Sequence, residues 1–560
     1  MSSDWKQKGQ DKAKSVLDLI PKEWKLEKIP SAEEQRDVTG SYLHQYLDKK
    51  EIEITETDAV GIVTQTTAGN WTALEVAKAF CHRAALAHQL VNCLHEIFFE
   101  AAYKSAEATD AYFKEHGKPV GPLHGLPVSL KDQFHVKGVD THMGYIGWIG
   151  NFQGKNGTGK EKEYESEMVK ELRRLGATLY VKTSVPHTLM CGETINNIIG
   201  YTQNSKNRNL SSGGSSGGEG TLIGMRGSPC GFGTDIGGSI RIPAAFNGLY
   251  GIRPSTGRLP YEGMANSMEG QNSILSVVGP LATTPGALKL LTQALLSTSP
   301  WLHDPLVHEI PWRDDTYDAI IDPLKRINQR MAFGVLRHDG VVAPMPPVAR
   351  AVDVVVHALE RLGHKVIEWK PTVPHKDITD ICNRIWSFDG GADCRKDFAL
   401  SGEEPAPQIM IDNKPQSNAS DIMAANIAQR EAQKDYMEYW NSTESETGTG
   451  RPVDAIICPL APFPAARPAK YSYYGYSVWV NVLDYSSVVV PVTTVDKSVD
   501  KKAENFKALD EADQNTQDDC KYCIVCCDNA MLTFEQMTRR STTVRMLACS
   551  SLDGDCRRRR

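Results

Sequence analysis

The stretch Ser211–Pro254 constrains this chain more than any other: SSGGSSGGEGTLIGMRGSPCGFGTDIGGSIRIPAAFNGLYGIRP. Two of its serines each follow a glycine pair, Ser215 after Gly213-Gly214 and Ser239 after Gly237-Gly238. Paired glycines let backbone approach a ligand closely and turn N–H groups into a small cavity. A flexible linker would explain Ser211–Gly218 alone. It does not explain Thr234-Asp235-Ile236 followed by Ser239-Ile240-Arg241-Ile242-Pro243, where charge, glycine and β-branched residues alternate. Between the serines, Glu219 to Met225 is apolar enough for a buried helix, which Gly227-Ser228-Pro229 ends.

Spacing excludes other glycine motifs. No G-x-x-x-x-G-K-[ST] phosphate loop is present, and Gly231, Gly233 and Gly237 do not space as G-x-G-x-x-G. Gly214 to Gly218 fits the G-x-S-x-G nucleophile elbow, but that elbow follows an apolar strand. Here Gln203 to Ser212 (QNSKNRNLSS) is polar.

A second motif lies upstream, Gly125-Leu126-Pro127-Val128-Ser129-Leu130-Lys131-Asp132, a short strand with Lys131 at its end. Together the two motifs resemble the amidase signature family. A looser similarity to acetamidase-like general amidases of fungal type runs from about Ser15 to Asp496. The resemblance implies an α/β fold: a large mixed, mostly parallel sheet sandwiched between helices in one catalytic domain. It also implies a Ser–Ser–Lys triad falling on Ser239 as nucleophile, Ser215 as the cis-peptide serine and Lys131 as base. The substrate oxygen would lie against the backbone of Ile236, Gly237, Gly238 and Ser239, with Leu189 and Met190 lining the acyl pocket. Asp235 and Arg241 would hold the loop by ion pairing. The implied reaction cleaves small monocarboxylic amides to carboxylate and ammonia through an acyl-enzyme, with no cofactor and no metal. An amidotransferase-type enzyme, an aryl or longer-acyl amidase of the same fold, and a catalytically silent variant stay open as alternatives.

The chemistry makes one demand that can be checked. A lysine with its ordinary value near 10.4 is neutral to only about 0.04% at pH 7, so a lysine base has to be buried. Cys191 with His187 would suit a thiol nucleophile, but nothing else in the sequence supports Cys191 in that role, and it reads as pocket wall.

Composition narrows the class. Apolar residues make up 41% and charged residues 23% of 560, as in a globular protein with ample core. A net charge of −7 argues against nucleic acid as the main partner. The start (MSSDWKQKGQDKAK) has no apolar targeting segment, and no run reaches the ~18 apolar residues of a membrane span. A cytoplasmic enzyme is therefore expected, without membrane partner; a homodimer is compatible with the chain. Thirteen cysteines, an odd number, read as reduced thiols rather than a disulfide framework.

Along the chain, residues 1–71 read as a helical strap broken at Pro21 and Pro30, and residues 72–497 as the catalytic domain. Thr72 with Glu75 opens a helix through about Ala87, and a second runs from about Ile97 to Glu115 before Gly117. Two helix–glycine–strand units follow, Glu167–Leu175 into Ala177–Val181 and Val348–Leu362 into Lys365–Trp369, with further strands at Phe333–Leu336 and Ala455–Cys458. No His/Cys/Asp/Glu cluster before residue 520 has metal-ligand spacing. Cys520, Cys523 and Cys526 have iron–sulfur spacing, but the fourth ligand position holds Ala530. The segment 498–560 reads as linker and atypical tail, poorly packed and lacking the family's GAPVGLQ-like closing strand, with six cysteines after Asp519 and four terminal arginines.

Overall fold

The computed structural model describes residues 4–321, 330–501, 505–526 and 531–538, with side chains through Asp519. Its strands are β1 (Leu94–Ile97), β2 (Pro127–Lys131), β3 (Thr178–Thr183), β4 (Ile195–Asn196), β5 (Gly200–Tyr201), β6 (Cys230–Asp235), β7 (Tyr250–Arg253), β8 (Val277–Ala282), β9 (Ala332–Val335), β10 (Lys365–Glu368), β11 (Ala455–Cys458), β12 (Ser486–Thr494) and β13 (Met531–Thr538). Strands β4 and β5 pair only with each other; the other 11 form one sheet in the order β1-β3-β2-β6-β8-β7-β12-β13-β11-β9-β10. Helices used below are α1 (Asp4–Asp18), α2 (Ala73–Val91), α3 (Phe99–His116), α4 (Glu167–Arg174), α5 (Gly217–Gly224), α6 (Arg241–Asn247), α7 (Pro346–Arg361), α8 (His375–Trp386), α9 (Gly475–Leu483) and α10 (Glu511–Cys526).

The mixed sheet with helical cover is the expected one, but its parallel part is smaller than expected. Parallel pairing is confined to two patches, β3-β2-β6 and β11-β9-β10. Every contact from β6 across to β11, and that of β1 with β3, is antiparallel. The reason is topological. The β6–α6–β7 crossover skips one position, and β8 fills that gap running the other way. The helix–glycine–strand units that suggested a parallel sheet do build the parallel patches: α4 stops before Gly176 (φ +89°) and α7 before Gly363 (φ +81°), conformations glycine adopts without cost.

Local signals set the helix ends. The Thr72 hydroxyl accepts the Glu75 N–H at 3.0 Å and opens α2, which runs on to Val91 and ends where Asn92 turns left-handed (φ 55°). The predicted start of α3 at Ile97 is displaced, because Leu94–Ile97 is a strand and the helix begins at Phe99. Residues Val16, Ile20, Val38, Leu43, Ile54 and Ile62 of the first 71 are buried in the same core as Phe80, Leu130, Phe232 and Val488. No helix among the described residues is long and apolar enough to cross a membrane.

The tail overturns an expectation. The chain beyond Asp519 does have a closing strand: β13 lies between β12 and β11, antiparallel to both, with Val489 opposite Glu535 and Ile457 opposite Gln536. Helix α10 leads into it, anchored by the Gln517 amide donating to the Ala343 carbonyl at 2.8 Å. MLTFEQMT has none of the glycine and proline of a GAPVGLQ-like ending, but its alternation of Met531, Thr533, Glu535 with Leu532, Phe534, Gln536 is an ordinary strand pattern. Residues 539–560, with Cys549, Cys556 and the terminal arginines, lie outside the described residues, as do the side chains of Cys520, Cys523 and Cys526.

Candidate active site

Strand β2 carries Lys131 to its end, in register with Thr183 of β3, and the neighbouring β6 delivers Thr234. The Lys131 Nζ donates to the Ser215 hydroxyl at 2.8 Å and to the Thr234 hydroxyl at 2.8 Å. Thr234 in turn donates to the Gln133 side-chain oxygen. Burial pushes the Lys131 ammonium down to about 7, against the opposing pull of Asp235 and Glu219. A neutral lysine is thus abundant at physiological pH, and the demand raised by the sequence is met.

The two glycine–serine loops are stitched together. The Gly214–Ser215 peptide is cis, and the Ser216 N–H donates to the Ser239 carbonyl at 3.2 Å. Exposure separates the three polar groups: Lys131 is 0% exposed, Ser215 1% and Ser239 8%. Ser239 is the most exposed of the three.

Four backbone N–H groups are expected at the substrate oxygen, and one of them is engaged elsewhere. The Gly238 N–H donates to Asp235 Oδ1 at 2.9 Å. The N–H groups of Ile236, Gly237 and Ser239 donate to nothing among the described hydrogen bonds. Glycine is required twice here. A Cβ on Gly237 would meet the Trp386 ring at 2.6 Å; Gly238 has φ +127°, and its Cβ would meet Ile242 at 2.6 Å.

The loop is clamped from below. Arg241 Nε and Nη2 grip the two Asp235 oxygens at 2.9 and 3.0 Å, and the Asn481 amide adds a bond to Oδ1 at 2.9 Å. Burial alone would raise the Asp235 carboxyl, but the Arg241 guanidinium outweighs it and holds the group well below the usual carboxylate range. The Ser477 hydroxyl, on α9, donates to the Gly237 carbonyl at 2.7 Å. The ion pair expected of Asp235 and Arg241 is therefore present, fully buried.

Leu189 and Met190 lie in the segment that leads to Cys191–Glu193. Thr188 and Leu189 both take positive φ (61° and 64°), rare for such residues and typical of segments held in place for a purpose. Leu189 packs against Tyr145, Trp148 and Phe398, and the next residues, Cys191 to Glu193, close on Gly214, whose Cβ would meet the Cys191 carbonyl at 2.5 Å. Cys191 is no thiol nucleophile: burial pushes it up to about 12, and its sulfur donates to the Gln408 carbonyl. His187 Nε2 accepts the Asn197 N–H at 3.2 Å and lies 3.4 Å from the Glu403 carboxylate.

Sequence reasoning missed two features. Trp386, at the end of α8, covers Gly237 and leaves its indole N–H without a partner; no motif surrounds it. The spacing rule also overlooked His95, Asp132 and His142, which the fold brings together with ligand atoms within 4.8 Å of one another. A cation already sits there: the Lys182 ammonium lies 2.8 Å from Asp132 Oδ1 and donates to the Asp140 carbonyl and Thr141 hydroxyl.

The sequence pattern of the family described as "Amidase" matches residues 75–512. The chain belongs to the amidase family. An acetamidase of Emericella nidulans is 44% identical over 522 residues, 93% of this chain and 92% of that protein. An acetamidase of Aspergillus oryzae is 45% identical, over 92% of each. Among solved structures, a fatty acid amide hydrolase superposes with a TM-score of 0.88 at 31% identity, covering 98% of this chain and 94% of that one. As a member of the amidase family, this chain is an amide-hydrolysing enzyme.

Proposed function

We propose that this amidase cleaves small monocarboxylic amides of the acetamide kind to carboxylate and ammonia, with Ser239 as nucleophile, Ser215 as proton relay and Lys131 as base. One observation carries the reading: a fully buried lysine, brought to about 7 by desolvation, hydrogen-bonded to a serine in a loop that is stitched to the more exposed Ser239. The acetamidases at 44% and 45% identity support the acyl size.

In this mechanism neutral Lys131 takes the Ser215 proton as Ser215 takes that of Ser239, whose Oγ bonds to the amide carbon. The oxyanion is met by the N–H groups of Ile236, Gly237 and Ser239, and removing one such donor typically costs 10²–10³ in rate. The proton returns through Ser215 to the departing nitrogen, ammonia leaves, and water repeats the sequence on the acyl-enzyme. Leu189, Met190 and Gly238 form the wall. No step needs a cofactor or metal. We also place the enzyme in the cytoplasm, as a form that acts without a membrane or nucleic-acid partner and is compatible with a homodimer.

Ammonia release from acetamide by the purified chain alone tests the reading; no release from acetamide, propionamide or butyramide would end it. The pH profile tests the base. Because the neutral form is the active one, kcat/KM should rise with pH through about 7 and fall tenfold per unit below that. Lys131→Arg should be nearly inactive, since guanidinium stays protonated in proteins. A flat profile between pH 5 and 8, or an active Lys131→Arg, removes Lys131 from the mechanism.

A further inference from the structure

Arg258 stands in an environment that calls for a negative charge the described residues do not supply. It is 6% exposed, and its one hydrogen bond among those described runs from Nη1 to the Ile310 carbonyl at 2.7 Å. No carboxylate among the described residues pairs with it. Burial is the main influence on its charge, and the other is the positive Arg313 nearby. Buried charges in proteins are otherwise paired, and a guanidinium cannot escape the cost by losing its proton.

Its surroundings are hollow. Arg258 lines a cavity of about 280 Å³ and an adjoining one of about 380 Å³. The first also touches Ile236, at the start of the oxyanion loop. The acidic groups on these walls are occupied or outward. Asp304 accepts the N–H groups of Tyr261, Glu262 and Leu306 at 2.7, 2.9 and 2.8 Å. Asp484 pairs with Arg253 at 2.9 Å in the second cavity. Glu269 is exposed at the rim. At ~30 Å³ per water, the first cavity has room for roughly nine non-hydrogen atoms. That exceeds what acetamide fills.

We propose that Arg258 is a carboxylate-binding site in the cavity that Ile236 also lines. The chemistry favours carboxylate because a guanidinium fork with Nε and Nη2 uncommitted matches its two oxygens. A carboxylate could come from two sources: the distal end of an amide substrate derived from a four- to six-carbon dicarboxylic acid, or a free carboxylate held beside the site. The first source rests on the Ser239 reading above; the second does not.

The experiment has a kinetic and a binding arm. In the kinetic arm, kcat/KM is measured for the monoamides of succinic, glutaric and adipic acid and for the neutral diamides of the same lengths. Wild type should prefer the anionic member of one pair at least tenfold. Arg258→Gln should reduce that ratio to within twofold, and Arg258→Lys, which keeps the charge, should restore part of it. A purely structural Arg258 would lower both members of each pair together. In the binding arm, succinate, glutarate and adipate are titrated calorimetrically into the full-length Ser239→Ala chain with and without Arg258→Gln. Binding that depends on Arg258 without a kinetic preference supports the site and assigns it to a free carboxylate. Binding in this arm is informative even if the wild type turns over no amide, so the two proposals fail separately. If neither the preference nor any carboxylate binding changes by more than twofold between Arg258, Arg258→Lys and Arg258→Gln, the site does not exist.

Discussion

Ser239→Ala should reduce kcat/KM on acetamide to background, a loss on the order of 10⁵–10⁶, as removal of a catalytic nucleophile does elsewhere. Ser215→Ala should cost less, about 10²–10⁴, because it removes proton traffic and not the covalent step. The difference follows from position. Ser215 is enclosed, with the Lys131 ammonium on its hydroxyl at 2.8 Å, whereas Ser239 keeps 8% exposure at the mouth of the N–H cradle. A fluorophosphonate probe separates the roles without a substrate: it should label wild type and Ser215→Ala, the latter slowly, and leave Ser239→Ala unlabelled. Equal labelling of wild type and Ser239→Ala would move the nucleophile elsewhere. Because the Ser239 hydroxyl makes none of the hydrogen bonds found among the described residues, its loss should leave the melting temperature almost unchanged, so inactivity could not be blamed on unfolding.

The Lys131–Ser215 contact and the Asp235–Arg241 ion pair were legible because these residues fall in two short strings whose glycines leave few alternatives. What the strings do not contain is the support arriving from far along the chain. Ser477, 240 residues beyond Gly237, and Asn481, 246 beyond Asp235, hold the loop from α9. Trp386 covers it from α8. No periodicity connects such positions; only the folded sheet does. The same holds for His95, Asp132 and His142, which come from β1, from just past β2 and from the following loop. Helix ends were better served, since Gly117, Gly176 and Gly363 announce left-handed caps locally. Strand direction was not, because a helix–glycine–strand unit fixes a crossover but not which strand later fills the position it skips.

The largest structural effect should come from the end of the chain. A protein stopped after residue 526 loses β13 from the middle of the sheet, not from an edge. Strand β12 would lose its pairing from Ser486 to Thr494, and β11 its pairing at Ile456, Ile457 and Cys458. Both lie in the core: Val488 and Val489 of β12 are 0% exposed, as are Ile456 and Cys458 of β11. Backbone groups there would have neither a strand nor bulk water to bond, at about 1–3 kcal/mol for each group left buried and unpaired. Several such groups exceed the 5–15 kcal/mol that holds a typical domain together. The parallel patch β11-β9-β10 would also be cut off from the sheet that carries Lys131 and Thr234. We therefore expect the chain 1–526 to accumulate as insoluble protein, or to show no cooperative thermal transition, with amidase activity lost although every site residue is present. The chain 1–538 keeps both ladders and should recover the soluble yield and cooperative thermal transition that the chain 1–526 lacks. A 1–526 protein that melts within a few degrees of the full chain would show that β13 contributes little to the sheet.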